Sequence, residues 1–122
     1  MSSPLDGVRI LDLTQVQAGP SCTQLLAWMG ADVIKVEQPG VGDRTRTERA
    51  VDPDVDSFYF IVFNANKRSI CLDLRADAGR EALIKLVALS DVVVENYGPG
   101  QMERFGLGYD VLREANPKIV YC

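Results

Sequence analysis

Leu13-Thr14-Gln15-Val16-Gln17-Ala18-Gly19-Pro20-Ser21-Cys22 joins a short apolar strand to an amphipathic helix near the start of the chain. Gly19 permits a tight bend, and a proline at the first helical position lacks an N–H that would have no partner there. The spacing therefore predicts a helix from about Pro20. Upstream, residues 8–14 alternate and run apolar as a strand. Downstream, Ala18, Cys22, Leu25, Leu26 and Met29 recur at helical spacing until Gly30 stops the turn. Residues 32–37 (DVIKVE) form a second short strand, so the three elements make a βαβ unit with parallel pairing and a right-handed crossover. The turn then sits at a strand's carboxyl end, where open α/β sheets hold ligands. The free N–H groups of the new helix favour negative charge there.

Beyond this unit, residues 38–56 carry Pro39, Gly40, Gly42 and Pro53 among charged residues and read as a long solvated loop. Residues 57–63 are apolar and aromatic, with a short helix preferred over a strand. A polar turn at 64–68 precedes a strand at 69–74, with Ile70, Leu72 and Leu74 on one face. Asp77 is placed to cap a helix over 78–89, with Ala82, Leu83, Leu86 and Val87 inward and Glu81 and Lys85 as an i,i+4 pair. A strand at 91–95, a turn at 96–100, one helical turn at 101–105, a helix at 109–115 and a strand from Lys118 follow. This alternation predicts an α/β fold: a three-layer Rossmann-like domain with a mostly parallel sheet, without an internal boundary over residues 1–122. The chain ends inside an apolar strand, which reads as the amino-terminal piece of a longer protein with one sheet edge unpaired.

The 122 residues are 47% hydrophobic and 25% charged, an ordinary composition for a globular domain. A net charge of -4 with dispersed Lys and Arg does not fit a nucleic-acid binder. The apolar runs are too short for a membrane span, and the first six residues lack the basic and apolar regions of a signal peptide, so a cytoplasmic protein is expected. Cys22, Cys71 and Cys122 are too widely spaced for a disulfide framework or zinc site and read as reduced, small core residues. No histidine is present, which removes Ser/His/Asp and Cys/His catalysis and imidazole metal ligation from this chain. No metal site and no catalytic residue are assigned within it.

Glu37, ending the second strand, is placed to bond a ribose hydroxyl, but its first turn holds one glycine where a dinucleotide fingerprint needs three. A dinucleotide-dependent oxidoreductase is thereby disfavoured, and Glu37 reads better as a solvated strand end. Asp6, Asp12, Asp43 and Asp73 read as caps and turn residues. Three turns, at Val16–Gly19, Leu72–Arg75 and Asn96–Gly98, fall along one sheet edge in this topology. Amides at Gln17 and Asn96, small residues at Ala18 and Gly98, and cations at Arg75 and Arg104 suit a long phosphorylated ligand with an amide-rich arm. Ordinary loop chemistry accounts for the same residues.

Four motifs in order, residues 4–20, 30–37 (GADVIKVE), 66–70 (NKRSI) and 94–100 (VENYGPG), together resemble the family III CoA-transferases of the CaiB/BaiF type, over nearly the whole chain. Val16, Gln17 and Ala18, with residues 56–60 (DSFYF), resemble most the branch that moves CoA from formyl-CoA to oxalate. Gln15, Gln38 and Glu48 depart from it, standing where that branch carries histidine, arginine and tryptophan respectively. A weaker likeness around Gln17 is to enzymes of the α-methylacyl-CoA racemase type. The chain taken alone also fits a non-catalytic CoA-binding piece.

The resemblance implies an aspartate, beyond residue 122, that attacks an acyl-CoA carbonyl and passes through an anhydride and an aspartyl-CoA thioester before a small carboxylic acid takes the CoA. It implies that Gln17 and Ala18 line the reacting end, that Leu72, Asp73, Leu74 and Arg75 hold the adenine nucleotide, and that Asn96, Tyr97, Gly98 and Arg104 hold the rest of CoA. The CoA thioester is then a substrate, with no tightly bound cofactor. Interlocked homodimers are implied for the full-length protein, and this piece alone is expected to be inactive.

Overall fold

The computed structural model describes residues 3–122. Strand β1 (Arg9–Asp12) lies at the centre of a five-stranded sheet, flanked by β2 (Asp32–Glu37) and β3 (Arg68–Cys71) on one side and by β4 (Val92–Val94) and β5 (Val120–Tyr121) on the other. Every pairing is parallel; Leu11 sits opposite Ile34 in β2 and Val93 in β4. All carboxyl ends therefore open onto one rim, and the strand order reverses between β1 and β4, the switch point of a doubly wound sheet.

Helices cover both faces, as the three-layer reading requires. Leu11, Ile34 and Val93 pack against α3 (Asp77–Val87) and α5 (Tyr109–Ala115) through Leu83, Val87 and Leu112. Ile10, Val33 and Val94 pack against α1 (Ala18–Trp28) through Ala27, with α2 (Phe58–Asn64) beside α1. On the α1 face the strands turn from apolar to charged as they approach the rim. Ile10 is followed at the same parity by Asp12, and Val33 by Lys35 and Glu37; all three charged residues are buried.

Helix α1 starts at Ala18, so Pro20 is its third residue and not its first. An N–H at Pro20 would have no intrahelical acceptor, which makes the proline tolerable throughout this turn. The stripe Ala18, Cys22, Leu25, Met29 faces outward, and the buried residues are Pro20, Thr23, Gln24 and Ala27. A sheet face ending in Asp12 and Lys35 selects the polar side of the helix, where Thr23 donates to Asp12 Oδ2 at 2.6 Å. The expectation of three core cysteines fails likewise: Cys22, Cys71 and Cys122 are free and exposed.

The aromatic segment is a helix, as preferred, because the Ser57 Oγ accepts from the Phe60 N–H and starts α2. In α3, Asp77 is the first helical residue and Ala76 the cap. The ion pair on this helix is Asp77 with Arg80, not Glu81 with Lys85. Residues 38–56 form a long connection whose one regular piece is a 3-10 turn at Arg44–Arg46. The connection is not wholly solvated, since Asp43 and Thr45 are buried. Among the described residues no helix is long and apolar enough to cross a membrane.

Candidate functional site

A cleft of about 280 Å³ opens on the carboxyl rim. Its walls come from Gln15 after β1, Val36, Glu37 and Gln38 at the end of β2, Leu72–Arg75 after β3, Tyr97 and Gly98 after β4, and Gln101 and Phe105 from the segment of α4 (Gln101–Arg104). The Leu72–Arg75 wall is held by local contacts. The Leu72 N–H donates to the Glu37 carbonyl at 2.9 Å, the Asp73 Oδ1 accepts from the Arg75 N–H at 3.0 Å, and Gly79 lets α3 approach the Asp73 carbonyl so closely that any Cβ there would overlap it. The Arg75 guanidinium donates to no protein group among the described residues, so at the cleft mouth it is free to meet an anion. Tyr97 stacks edge-on with Phe105 (6.1 Å, 85°), and burial together with the nearby Glu95 charge raises its phenol above the ordinary range.

Glu37 is neither a solvated strand end nor a group available to a ribose. Arg46 grips it with two donors, Nε to Oε1 at 2.9 Å and Nη2 to Oε2 at 2.6 Å, and Ser69 and the Asp43 N–H complete the set. Burial pushes this carboxyl up, but the hydrogen bonds from Arg46, Ser69 and Asp43 outweigh it and bring it down to about 2. Arg46 also reaches Asp56 at 2.7 Å and lies 3.8 Å from the Phe60 ring centre. The one buried charge in the cleft wall is thus neutralised from within the protein.

Of the residues picked from sequence, Leu72, Asp73, Leu74, Arg75, Tyr97 and Gly98 converge on this cleft. Gln17 and Ala18 do not line it; they are exposed at the start of α1, two and three residues beyond Gln15, with Tyr59 Oη 3.4 Å from Gln17 Oε1. Helix α1 has no side-chain cap, so the N–H groups of its first turn remain available to an anion or a developing oxyanion. Asn96 uses its amide on the Gln15 backbone, and Arg104 is engaged with Gln101 at 2.9 Å, outside the lining. Gln15, Val36, Glu37, Gln38, Gln101 and Phe105 were not chosen from sequence. The switch-point rule points to Gln15, which follows β1, and the i,i+4 spacing of Gln101 and Phe105 marks one side of a helical turn. Of the three departures noted above, Gln15 and Gln38 line the cleft, and Glu48 is exposed in the long connection. Asp73 is the turn residue expected. Asp12 and Asp43 cap turns as expected and, in addition, are paired with buried lysines.

A parallel, doubly wound sheet with a cleft at its carboxyl rim places the chain among the open α/β proteins, and comparison narrows the class. Residues 5–122 match CoA-transferase family III, and the chain belongs to that family. It is similar to formyl-CoA:oxalate CoA-transferase of Rhodopseudomonas palustris (strain BisA53), at 56% identity over 120 residues, covering 98% of this chain and 28% of that protein. The protein of that name from Streptomyces avermitilis is 54% identical over 122 residues, covering all of this chain and 30% of that one. Among solved structures, a CAIB/BAIF family protein from Brucella suis superposes with a TM-score of 0.91 at 43% identity, over the whole of this chain and 33% of that one. Rv3272 from M. tuberculosis gives 0.91 and 43%, over 98% of this chain and 34% of that one. The chain spans less than a third of the length of the curated relatives it matches.

Proposed function

We propose that the full-length protein carrying these residues moves CoA between carboxylic acids, with formyl-CoA as donor and oxalate as acceptor. The observation that carries the reading is the layout of the rim. A cleft with Arg75 at its mouth suits the phosphorylated end of CoA, and the Gln17 amide and the first turn of α1 stand one loop away, where the thioester end would lie. The names of the relatives supply the substrate pair.

In this reading CoA enters as a substrate and not as a resident group. A carboxylate supplied from beyond residue 122 attacks the formyl carbonyl. Gln17 and the helix N–H groups steady the oxyanion as the CoA thiolate leaves and a formyl anhydride of the carboxylate forms; the thiolate attacks the enzyme's acyl carbon and expels formate, oxalate attacks the resulting thioester and expels the thiolate again, and the thiolate attacks the oxalyl carbonyl of the new anhydride, giving oxalyl-CoA and freeing the carboxylate. A homodimer is supported by the outward apolar side chains of Leu25, Trp28 and Met29 on α1 and Phe58, Ile61 and Val62 on α2. Three free, exposed cysteines fit a reducing, cytoplasmic location.

The test is full-length protein given formyl-CoA and oxalate, with hydroxylamine added to trap an acyl-aspartyl species. Oxalyl-CoA formation with a trapped adduct supports the reading. Solvent deuterium entering a branched acyl α-carbon with no transfer would replace it by racemase chemistry. CoA binding without either reaction would leave a binding module.

A further inference from the structure

Between β1 and α1 the chain makes a turn that its own sequence does not favour. Val16 has φ +70°, in the left-handed region that a β-branched residue rarely enters, and such a conformation persists only where the surroundings fix it. Two buried ion pairs do so here. Lys35 Nζ donates to the Thr14 carbonyl at 2.8 Å and faces Asp43 Oδ2 at 2.9 Å, while Asp43 Oδ1 lies 3.5 Å from the Val16 N. Lys67 Nζ has all three of its protons directed, to Asp12 Oδ2 at 2.8 Å, the Pro20 carbonyl at 2.9 Å and Asn64 Oδ1 at 3.0 Å. One lysine thus holds the segment just before Val16, and the other holds it just after Gly19. Both ammonium groups and both carboxylates are almost wholly shielded from solvent.

Buried ion pairs are weak contributors to stability, since apolar residues of the same shape commonly serve as well or better. Two of them placed on either side of one strained turn are better explained by the conformation they select. Between the two anchors, Gln17 and Ala18 stand exposed, and among the described residues the one side-chain hydrogen bond of Gln17 is the long one it accepts from Tyr59.

We propose that Lys67, through Asp12 and the Pro20 carbonyl and with Lys35–Asp43 opposite, is a positioning residue that sets the Val16 turn and so aims Gln17 at the acyl end of the thioester. The inference rests on the reading of function above. Lys67 touches no substrate; it acts through the loop.

The experiment uses full-length protein and four enzymes: wild type, Lys67→Met, Gln17→Ala and the double variant. Misplacing a catalytic group by about 1 Å costs on the order of 100-fold in rate, so Lys67→Met is expected to lower kcat by about that factor while KM for formyl-CoA moves less than about twofold. Gln17→Ala added to Lys67→Met is expected to cost only a few-fold more, because the loop no longer presents the amide; a merely structural role for Lys67 gives multiplicative losses instead. The backbone amides of Val16 and Ser21, which donate to Asp43 Oδ1 and to the Gln17 carbonyl, are expected to exchange about tenfold faster in Lys67→Met, a readout that does not depend on turnover. Unchanged kcat, multiplicative losses, or unchanged exchange overturns the inference. Asp12→Asn serves if Lys67→Met does not fold, with the same expectations. Failure of both to fold makes the network a requirement of the fold and overturns the positioning role. Wild type that transfers no CoA sinks the functional reading, whereas active wild type with fully active Lys67→Met sinks only this inference.

Discussion

The Asn96 side chain and the Gln15 backbone exchange two hydrogen bonds, Gln15 N–H to Asn96 Oδ1 and Asn96 Nδ2 to the Gln15 carbonyl, each 2.8 Å. The exchange has the form of a strand pairing and continues β1 and β4 past their last paired residues, across the point where strand order reverses. It fixes Gln15 as cleft wall and, one residue on, the start of the Val16 turn.

Asn96→Ala removes both bonds from a site reached by water, so each is worth about 1 kcal/mol and the variant is expected to lose about 1–2 kcal/mol of stability. Asn96→Asp keeps one acceptor but sets a carboxylate oxygen against the Gln15 carbonyl, and is expected to lose at least as much at neutral pH. Urea unfolding of the full-length variants checks both, and a smaller loss for Asp than for Ala would contradict the assignment of the amide.

Gly19 and Gly79 are contact glycines, not hinges. A Cβ at Gly19 would overlap Thr14 Cβ itself, and one at Gly79 would overlap the Asp73 carbonyl oxygen. Overpacking of this kind costs about 1–3 kcal/mol, so Gly19→Ala and Gly79→Ala are each expected to lower stability by that much. Thr14→Ala is not expected to rescue Gly19→Ala, because it leaves the offending Cβ in place; thermal unfolding of the double variant decides the matter.

Glu37 makes acid stability specific to one carboxylate. Its pKa is lowered to about 2 in the fold from an ordinary value of 4.5. The stabilisation is therefore fully present above about pH 5, is lost as pH falls through 4.5 towards 2, and amounts to about 3 kcal/mol at neutral pH. Glu37→Gln should be less stable than wild type at pH 7 and should converge on it near pH 2. Parallel unfolding curves for the two proteins between pH 6 and pH 2.5 would contradict the Arg46 clamp.

How far the fold was legible in the sequence follows from where its signals are local. The DVIKVE strand and the 109–115 helix rest on short-range pattern, and the parallel pairing of β1 with β2 on the crossover between them; all three agree with the structure. The orientation of α1 does not. Periodicity shows which side of a helix is apolar, and here that side faces outward because the sheet beneath presents Asp12 and Lys35. Lys67 lies in a stretch that reads as a polar turn, and nothing near it marks burial. Its partner Asp12 is 55 residues away, and only the crossover brings them together. The cleft was half legible for the same reason: turns at strand ends can be placed by topology, whereas Phe105 and Gln101 enter through the packing of a short helix.

The proposed function divides the rim between two tasks, the Arg75 cleft holding CoA and the Gln17 amide acting on the acyl group. Steady-state kinetics of full-length Arg75→Gln and Gln17→Ala with formyl-CoA separate the two tasks. Arg75→Gln is expected to raise KM about tenfold with kcat little changed, as for loss of one charge-assisted bond, and Gln17→Ala to lower kcat with KM little changed. An unmoved KM in Arg75→Gln, or a loss in Gln17→Ala that falls on KM alone, would contradict it.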